Sequence, residues 1–316
     1  MDEMEHFNNC RLCPRECGIN RFSDHHKGFC RESDQLRIAF IGVHFGEEPP
    51  ITGTKGSGTI FFSGCSLRCS FCQNHQISHS GIGKIFTLDN LVDQVEEVID
   101  KYGVHNINFV TPDHFFPFAF NLCRILRKKG HSLPMLYNVS GYQSVKMLRL
   151  AESAVDIYLP DYKYSDQRLA SALSRCRDYP EVALAAILEM VRQKGFLNSF
   201  QTGDPIADRG VLVRHLILPG YPDNSKNALT TLFLEFGPGL PISLMSQYSP
   251  VTPQEDTDLK RYLRKDEFDE VYEHAMDLGF HHLFVQFPET LEKSDDKGDP
   301  FVPDFGLAAP FLGKGN

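Results

Sequence analysis

Apolar residues recur along the chain in two alternating rhythms. Short β-branched or aromatic runs bounded by Gly, Pro, Asp or Asn predict strands at Leu36–Val43, Gly58–Ser63, Asn106–Val110, Pro134–Val139, Ala154–Leu159, Val211–Leu218, Ile242–Ser246 and His282–Phe287. Helical spacing fills the intervals. It is clearest in Leu88–Tyr102, where Leu88, Leu91, Val92, Val95, Val98 and Ile99 share a face. Thr87 is placed to cap that helix and Gly103 to end it. Phe116–Lys129, Ser144–Glu152, Gln167–Arg175, Glu181–Lys194, Lys226–Phe236 and Asp266–Leu278 read the same way. Such alternation predicts an α/β fold with a mostly parallel sheet, which six or more units can curve into a full or partial barrel. Three parts follow: a leader, 1–50; a core, 51–290; and a tail, 291–316, rich in Pro, Gly and Asp and either mobile or wrapped on the surface.

Composition narrows the classes. The 316 residues suffice for a full core without disulfide staples. A net charge of -9 argues against broad, sequence-independent nucleic-acid binding. No apolar run approaches the ~20 residues of a membrane-spanning helix. The acidic start MDEMEHFNNC lacks the regions of a secretion signal, so the expectation is a cytoplasmic protein without membrane attachment. Cysteine usage is the informative part. Seven of the 9 cysteines fall within residues 10–72, an odd total that makes a disulfide framework a poor reading and favours metal or cluster ligation. Cys123 and Cys176 stand alone in helix-like segments and read as small buried hydrophobes.

The string Cys65-Ser66-Leu67-Arg68-Cys69-Ser70-Phe71-Cys72 follows a predicted strand, so its thiols lie at a strand's C-terminal end, where α/β sheets build their sites. Three thiolates do not complete a four-ligand site. Either a [4Fe–4S] cluster is held with one iron open to a substrate or cofactor, or a zinc ion is completed by a nearby histidine such as His75. A second set, Cys10, Cys13, Cys17 and Cys30, is a complete tetrad for a second iron–sulfur cluster or for structural zinc. Pro14, Gly18 and Gly28 supply turns around it, and its low apolar content means that a metal would order it.

The segment from Gly64 to Asn74 resembles the signature of radical S-adenosylmethionine enzymes. Over roughly residues 10–290 the chain is similar to the pyruvate formate-lyase activating enzyme family, through EEPPITGTKGSGTIFFSGC, NINFVTPDHF, YNVSGYQS, VDIYLPDYKY, LVRHLILPGYPDN and SLMSQYSP. The resemblance implies a partial (β/α)6 barrel with the cysteine-rich leader as an extension. It also implies a [4Fe–4S] cluster on Cys65, Cys69 and Cys72, and S-adenosylmethionine cleaved to methionine and a 5′-deoxyadenosyl radical. Phe71 would then pack near the adenine. Backbone Thr111 stands where relatives carry a Gly-Gly-Glu motif, whose glycines are missing here. Asn138 and Ser140 match positions that contact ribose or carboxylate. Asp161 and Lys163 match an Asp-x-Lys that faces the cofactor's carboxylate or the substrate.

Other residues carry weaker signals. His114 is expected at the barrel rim, on the substrate side. One of Arg214 and His215 should point into the barrel. Glu47-Glu48-Pro49-Pro50 is either a surface turn or a substrate contact, and the glycines from Gly53 to Gly58 lack the ending of a phosphate loop. The expected reaction is hydrogen abstraction from a substrate, with a protein glycine as one candidate. The expected partner is an electron donor such as flavodoxin or ferredoxin. The rival class is a non-catalytic zinc or iron–sulfur protein serving electron transfer or partner docking.

Overall fold

A computed structural model of the chain describes residues 3–23, 28–202, 205–288 and 301–311. Much of the predicted tail (291–300 and 312–316), together with residues 289 and 290, His25 and His26, lies outside them. Strand β1 (Arg37–His44) runs antiparallel to β2 (Ser57–Phe62). From β2 the sheet continues in parallel through β3 (Ile107–Val110), β4 (Met135–Val139) and β5 (Ile157–Pro160).

The next predicted strand, Val211–Leu218, is divided. Gly210–Val211 pairs with β5, Leu212 N–H donates to the Tyr158 carbonyl at 3.1 Å, and β6 (Val213–Leu216) turns its ladder towards β7 (Ile242–Met245). A bridge between Asp161 and Arg214 stitches the two sheets together, and β8 (Leu283–Val285) adds to β7. Among the described residues no ladder joins β8 to β1 or β2. The result is a partial barrel, open along one seam. The predicted strand Leu36–Val43, assigned from sequence to the leader, lies in the same sheet as the core.

Helices cross over on the outside: α1 (Leu88–Tyr102), α2 (Phe116–Lys128), α3 (Val145–Ala151), α4 (Gln167–Ser174), α5 (Tyr179–Lys194), α6 (Pro222–Phe236) and α7 (Lys265–Leu278). Helix α1 matches its predicted bounds because its caps are local. Thr87 Oγ1 accepts the Asn90 N–H at 3.2 Å, and Gly103 closes the helix at φ 60°. Helix α6 begins four residues earlier than the apolar spacing suggests, since Pro222 starts it.

Strand alternation divides the packing. Ile60, Phe62, Phe109 and Tyr137 face the helices, while Leu136, Ile157, Leu159 and Leu212 pack inward around Ile51. Ile51 belongs to a single helical turn, Pro49–Thr52, which lies across the N-terminal end of the barrel; Asn106 Nδ2 donates to its carbonyl at 2.8 Å. The barrel is therefore plugged below and hollow above. Cys123 and Cys176 are buried as expected.

Two strand tops are tied by Tyr179. Its hydroxyl lies 2.8 Å from the Ser140 carbonyl and 2.9 Å from the Asp161 carbonyl, and it accepts the Lys163 N–H at 2.9 Å. Gly141 lies beneath this knot at φ 83°, where a Cβ would stand 2.1 Å from the Asp161 oxygen. Gly141→Ala should therefore destabilise the protein by more than ~2 kcal/mol, through backbone strain and overpacking together. Urea unfolding of the metal-free chain measures this, and an unchanged midpoint would contradict the close approach.

Candidate functional site

Strand β2 delivers Ser63 and Gly64 into the loop that carries Cys65, Cys69 and Cys72. Gly64 lies at φ 80°, and a Cβ there would meet the Cys30 carbonyl at 2.8 Å and His114 Nε2 at 3.0 Å, so this turn is pressed against the leader. Cys65 Sγ accepts the backbone N–H groups of Leu67 at 3.3 Å and Arg68 at 3.5 Å. Cys72 Sγ accepts the Ser78 hydroxyl at 3.2 Å. Burial pushes the Cys65 thiol up to about 12 and that of Cys72 to about 11, with neighbouring thiols adding to both. Deprotonating them takes a strong local cation, as metal ligation supplies.

Cys69, Phe71 and Cys72 line a cavity of about 1180 Å³ inside the barrel. Asn138, Asp161 and Lys163 stand on its wall. Lys163 Nζ bonds Asp161 Oδ2 at 2.5 Å. Burial opposes the ammonium charge, but Asp161 and the Cys69 and Cys72 thiols outweigh it and hold the Lys163 pKa above the ordinary lysine value.

The cavity floor is ionic. Arg214 pairs with both Glu47 and Glu48, its Nε donating to Glu48 Oε1 at 2.9 Å. Glu47 Oε1 also accepts Asn108 Nδ2 at 2.8 Å and Asn138 Nδ2 at 3.4 Å. Burial works against the Glu47 carboxylate, yet Arg214 and His44 keep its pKa below the usual range. The surface-turn reading of Glu47-Glu48 is corrected: the plug segment folds back inside the barrel. Of the pair on β6, Arg214 points inward. His215 is buried on the other side with Nδ1 2.6 Å from the Tyr162 carbonyl, and burial lowers its pKa to about 4.

Several expected site residues stand elsewhere. His114 is not at the rim. It is buried behind the cysteine loop, with Nε2 2.5 Å from the Ser63 carbonyl, and burial lowers its pKa to about 3. The leader covers it, because Arg21 reaches its carbonyl and stacks over Phe7 and Phe115. The Ser140 side chain does not line the cavity, and Thr111, expected to act through its backbone, directly follows the end of β3. Thr111 N–H donates to the Asn138 carbonyl at 2.9 Å, and its φ of 57° is one that glycine adopts more easily. Ser140 Oγ lies 3.5 Å from Gln143 Nε2, which also donates to buried Asp113 at 3.0 Å; burial raises Asp113 to about 6.

The leader folds onto the cysteine loop. Arg15 Nε donates to the Ser66 carbonyl at 3.0 Å, and Phe7 and Leu12 join the main core. Cys10 and Cys30 are buried, Cys13 is half-buried and Cys17 is exposed. A Cβ on Gly28 would stand 2.9 Å from Cys17 Sγ, so Gly28 and Cys17 abut. Burial raises the Cys13 thiol to about 12, with Cys30 and Cys10 near enough to add to the shift.

Sequence reasoning missed Asn108 and residues 301–311. Phe305 and Phe311 pack on Phe61 at 5.3 Å and border the open seam, and Gln76 receives the Phe305 N–H at 2.7 Å. The phenylalanines of the Pro-, Gly- and Asp-rich tail were the available signal.

Among the described residues no three His, Cys, Asp or Glu side chains converge closely enough for a single metal ion, in the cysteine loop or in the leader. A cluster spreads its thiolates over separate irons. The soft donor set of Cys65, Cys69 and Cys72, beside a cavity larger than a typical ligand site, fits a cluster together with a second ligand.

An open parallel barrel with a three-cysteine loop after its first parallel strand defines a class of cluster-dependent barrel proteins. The Radical SAM superfamily profile matches residues 59–231, more than half of the chain, and the protein belongs to that superfamily. Membership implies a [4Fe–4S] cluster and S-adenosylmethionine, and supports an enzyme over the non-catalytic rival. Two uncharacterized proteins of Methanocaldococcus jannaschii are similar. One is 26% identical over 276 residues, 85% of this chain and 75% of its own. The other is 25% identical over 166 residues, 47% of this chain and 48% of its own. The crystal structure of methylornithine synthase aligns at a TM-score of 0.40 and 15% identity, covering 67% of this chain and 59% of that one. No helix of the described residues is long and apolar enough to cross a membrane.

Proposed function

We propose that this protein is an activating-enzyme-like radical enzyme that takes a hydrogen atom from a substrate held in the barrel cavity. The observation that carries the reading is the placement of Cys69, Phe71 and Cys72 on the wall of one deep cavity that also holds Asp161 and Lys163. The bound cluster and S-adenosylmethionine would supply a 5′-deoxyadenosyl radical by one-electron cleavage of a carbon–sulfur bond. Cys65, Cys69 and Cys72 hold the cluster. Phe71 offers an apolar ring for the adenine. The Lys163 ammonium, fixed by Asp161, suits a carboxylate, and Asn138 suits a ribose hydroxyl. The inward plug closes one end of the cavity to water.

A protein glycine is the hydrogen donor that resemblance to the activating enzymes suggests. The tail favours a second reading, a small molecule, since Phe301, Pro303 and Phe311 line the same cavity and take up room that a protein loop would need. The leader tetrad is proposed as a second metal centre, an iron–sulfur cluster or zinc.

Anaerobic reconstitution with iron and sulfide should yield about four irons per chain, or about eight if the leader also takes a cluster. Dithionite should then convert S-adenosylmethionine to 5′-deoxyadenosine and methionine. A fully loaded sample that forms neither product would end the proposal.

A further inference from the structure

We propose that the floor of the barrel cavity binds a primary ammonium group, so that the substrate is a small aliphatic amine held through its nitrogen by Glu47 and Glu48. This names the substrate class of the site described above and rests on the reading that the cavity holds the substrate.

The floor carries an uncompensated negative charge. Glu47 and Glu48 share a single guanidinium, that of Arg214. The other ion pair on the cavity wall, Lys163 with Asp161, balances itself. Glu97 and Lys101 of helix α1 are exposed and offset each other. His44 also lines the cavity, but burial lowers its pKa, so at neutral pH it adds no positive charge. The Glu47 and Glu48 side chains are only 7% and 8% exposed. A charge left over in so poorly hydrated a place is costly, and a ligand cation relieves that cost.

Hydrogen-bonding capacity gives the form of the cation. Two carboxylates offer about eight acceptor sites. Among the described residues five hydrogen bonds reach them, three from Arg214, one from Asn108 and one from Asn138. The sites left over suit a group that only donates, and a primary ammonium carries three donors and no acceptor. Ser243 points to a ligand independently. It stands in register with Arg214 on the neighbouring strand, β7 beside β6, which puts both side chains on the inward face. Ser243 is 5% exposed and lines the cavity, and among the described residues its hydroxyl has no hydrogen-bond partner. It can accept one of the ammonium protons.

The floor lies across the cavity from the cysteine loop. Arg214 and Ser243 are the second residues of their strands, and Glu47 and Glu48 lead into the plug turn at the barrel's N-terminal end. Cys69 and Cys72 come after the C-terminal end of β2. A ligand anchored by its nitrogen at the floor therefore presents its carbon atoms towards the cysteine side. Phe40, Phe61 and Phe311 line the same cavity and offer those carbons an apolar wall. A neutral isostere would leave the floor charge uncompensated, and a carboxylate would add to it, so the floor selects by charge.

Isothermal titration calorimetry of the reconstituted full chain at neutral pH tests this with three probes of equal length, n-pentylamine, 1-pentanol and pentanoate. The amine, protonated at that pH, should bind at least ~10-fold more tightly than the alcohol, and pentanoate should not bind measurably. Glu47→Gln keeps the pair of Arg214 with Glu48 and removes the excess charge. It should erase most of the preference for the amine, with a urea midpoint that shows the variant folded. Saturating S-adenosylmethionine, without reductant, should leave the amine affinity unchanged. Loss of amine binding under that condition would assign the excess charge to the cofactor's own sulfonium and overturn the proposal. No amine binding by the native chain, equal affinity for the three probes, or tighter binding of pentanoate would overturn it too, as would an unaltered preference in the folded variant. Should the variant not fold, the comparison of probes on the native chain still decides. No arm needs turnover, so a chain that forms no deoxyadenosine ends the radical reading and leaves the ammonium floor to the calorimeter.

Discussion

Cys69→Ala should reduce deoxyadenosine formation to background, a loss of at least ~1000-fold, because two thiolates cannot seat the cluster that the chemistry requires. Iron and sulfide should fall together by one cluster's worth, while any metal on Cys10, Cys13, Cys17 and Cys30 stays. Cys69 is buried and lines the cavity. Burial raises the neighbouring thiols when no cation is present, so loading should be strongly pH-dependent and should release protons. Cys123→Ala provides the comparison, since Cys123 is a buried core residue remote from the cavity wall and its loss should leave turnover intact. Measurable turnover in the Cys69 variant would show that the cluster is held by other ligands.

Arg214→Met should destabilise the fold by ~3–5 kcal/mol at neutral pH, because it strands buried Glu47 and Glu48 without their cation. In the native protein the Glu47 pKa is depressed in the folded state, so its stabilisation is present above the unfolded carboxylate value of ~4.3 and is lost as pH falls through the lower folded value. In the variant the sign reverses. Burial then dominates, the folded pKa rises above the unfolded one, and stability declines as pH increases. The gap between the two proteins in urea unfolding should thus be widest near pH 7 and should shrink towards pH 4. Adding Glu47→Gln and Glu48→Gln to Arg214→Met should restore part of the loss. A gap independent of pH would mean that the ion pairs are not buried as described.

Some of this was legible along the chain. Helix α1 carries its own start and stop in Thr87 and Gly103, and the cysteine loop needs only the strand before it. Strand alternation required that one of Arg214 and His215 face inward, but not which. The Arg214 to Glu48 pairing spans 166 residues, and nothing in a run of Glu-Glu-Pro-Pro distinguishes a surface turn from a barrel plug. His114 was misplaced for a related reason: its strand end does reach the rim, but Arg21 and Phe7 of the leader cover that point.

The residues alone determined the α/β alternation and the cysteine spacing, because caps, turn residues and thiol intervals act over a few positions of chain. Tertiary structure alone decided the ionic floor, the buried His114 and the aromatic residues at the open seam. Those features depend on which distant side chains share a desolvated space, and burial and Coulomb energy are set only when the barrel curves and the leader closes over its end.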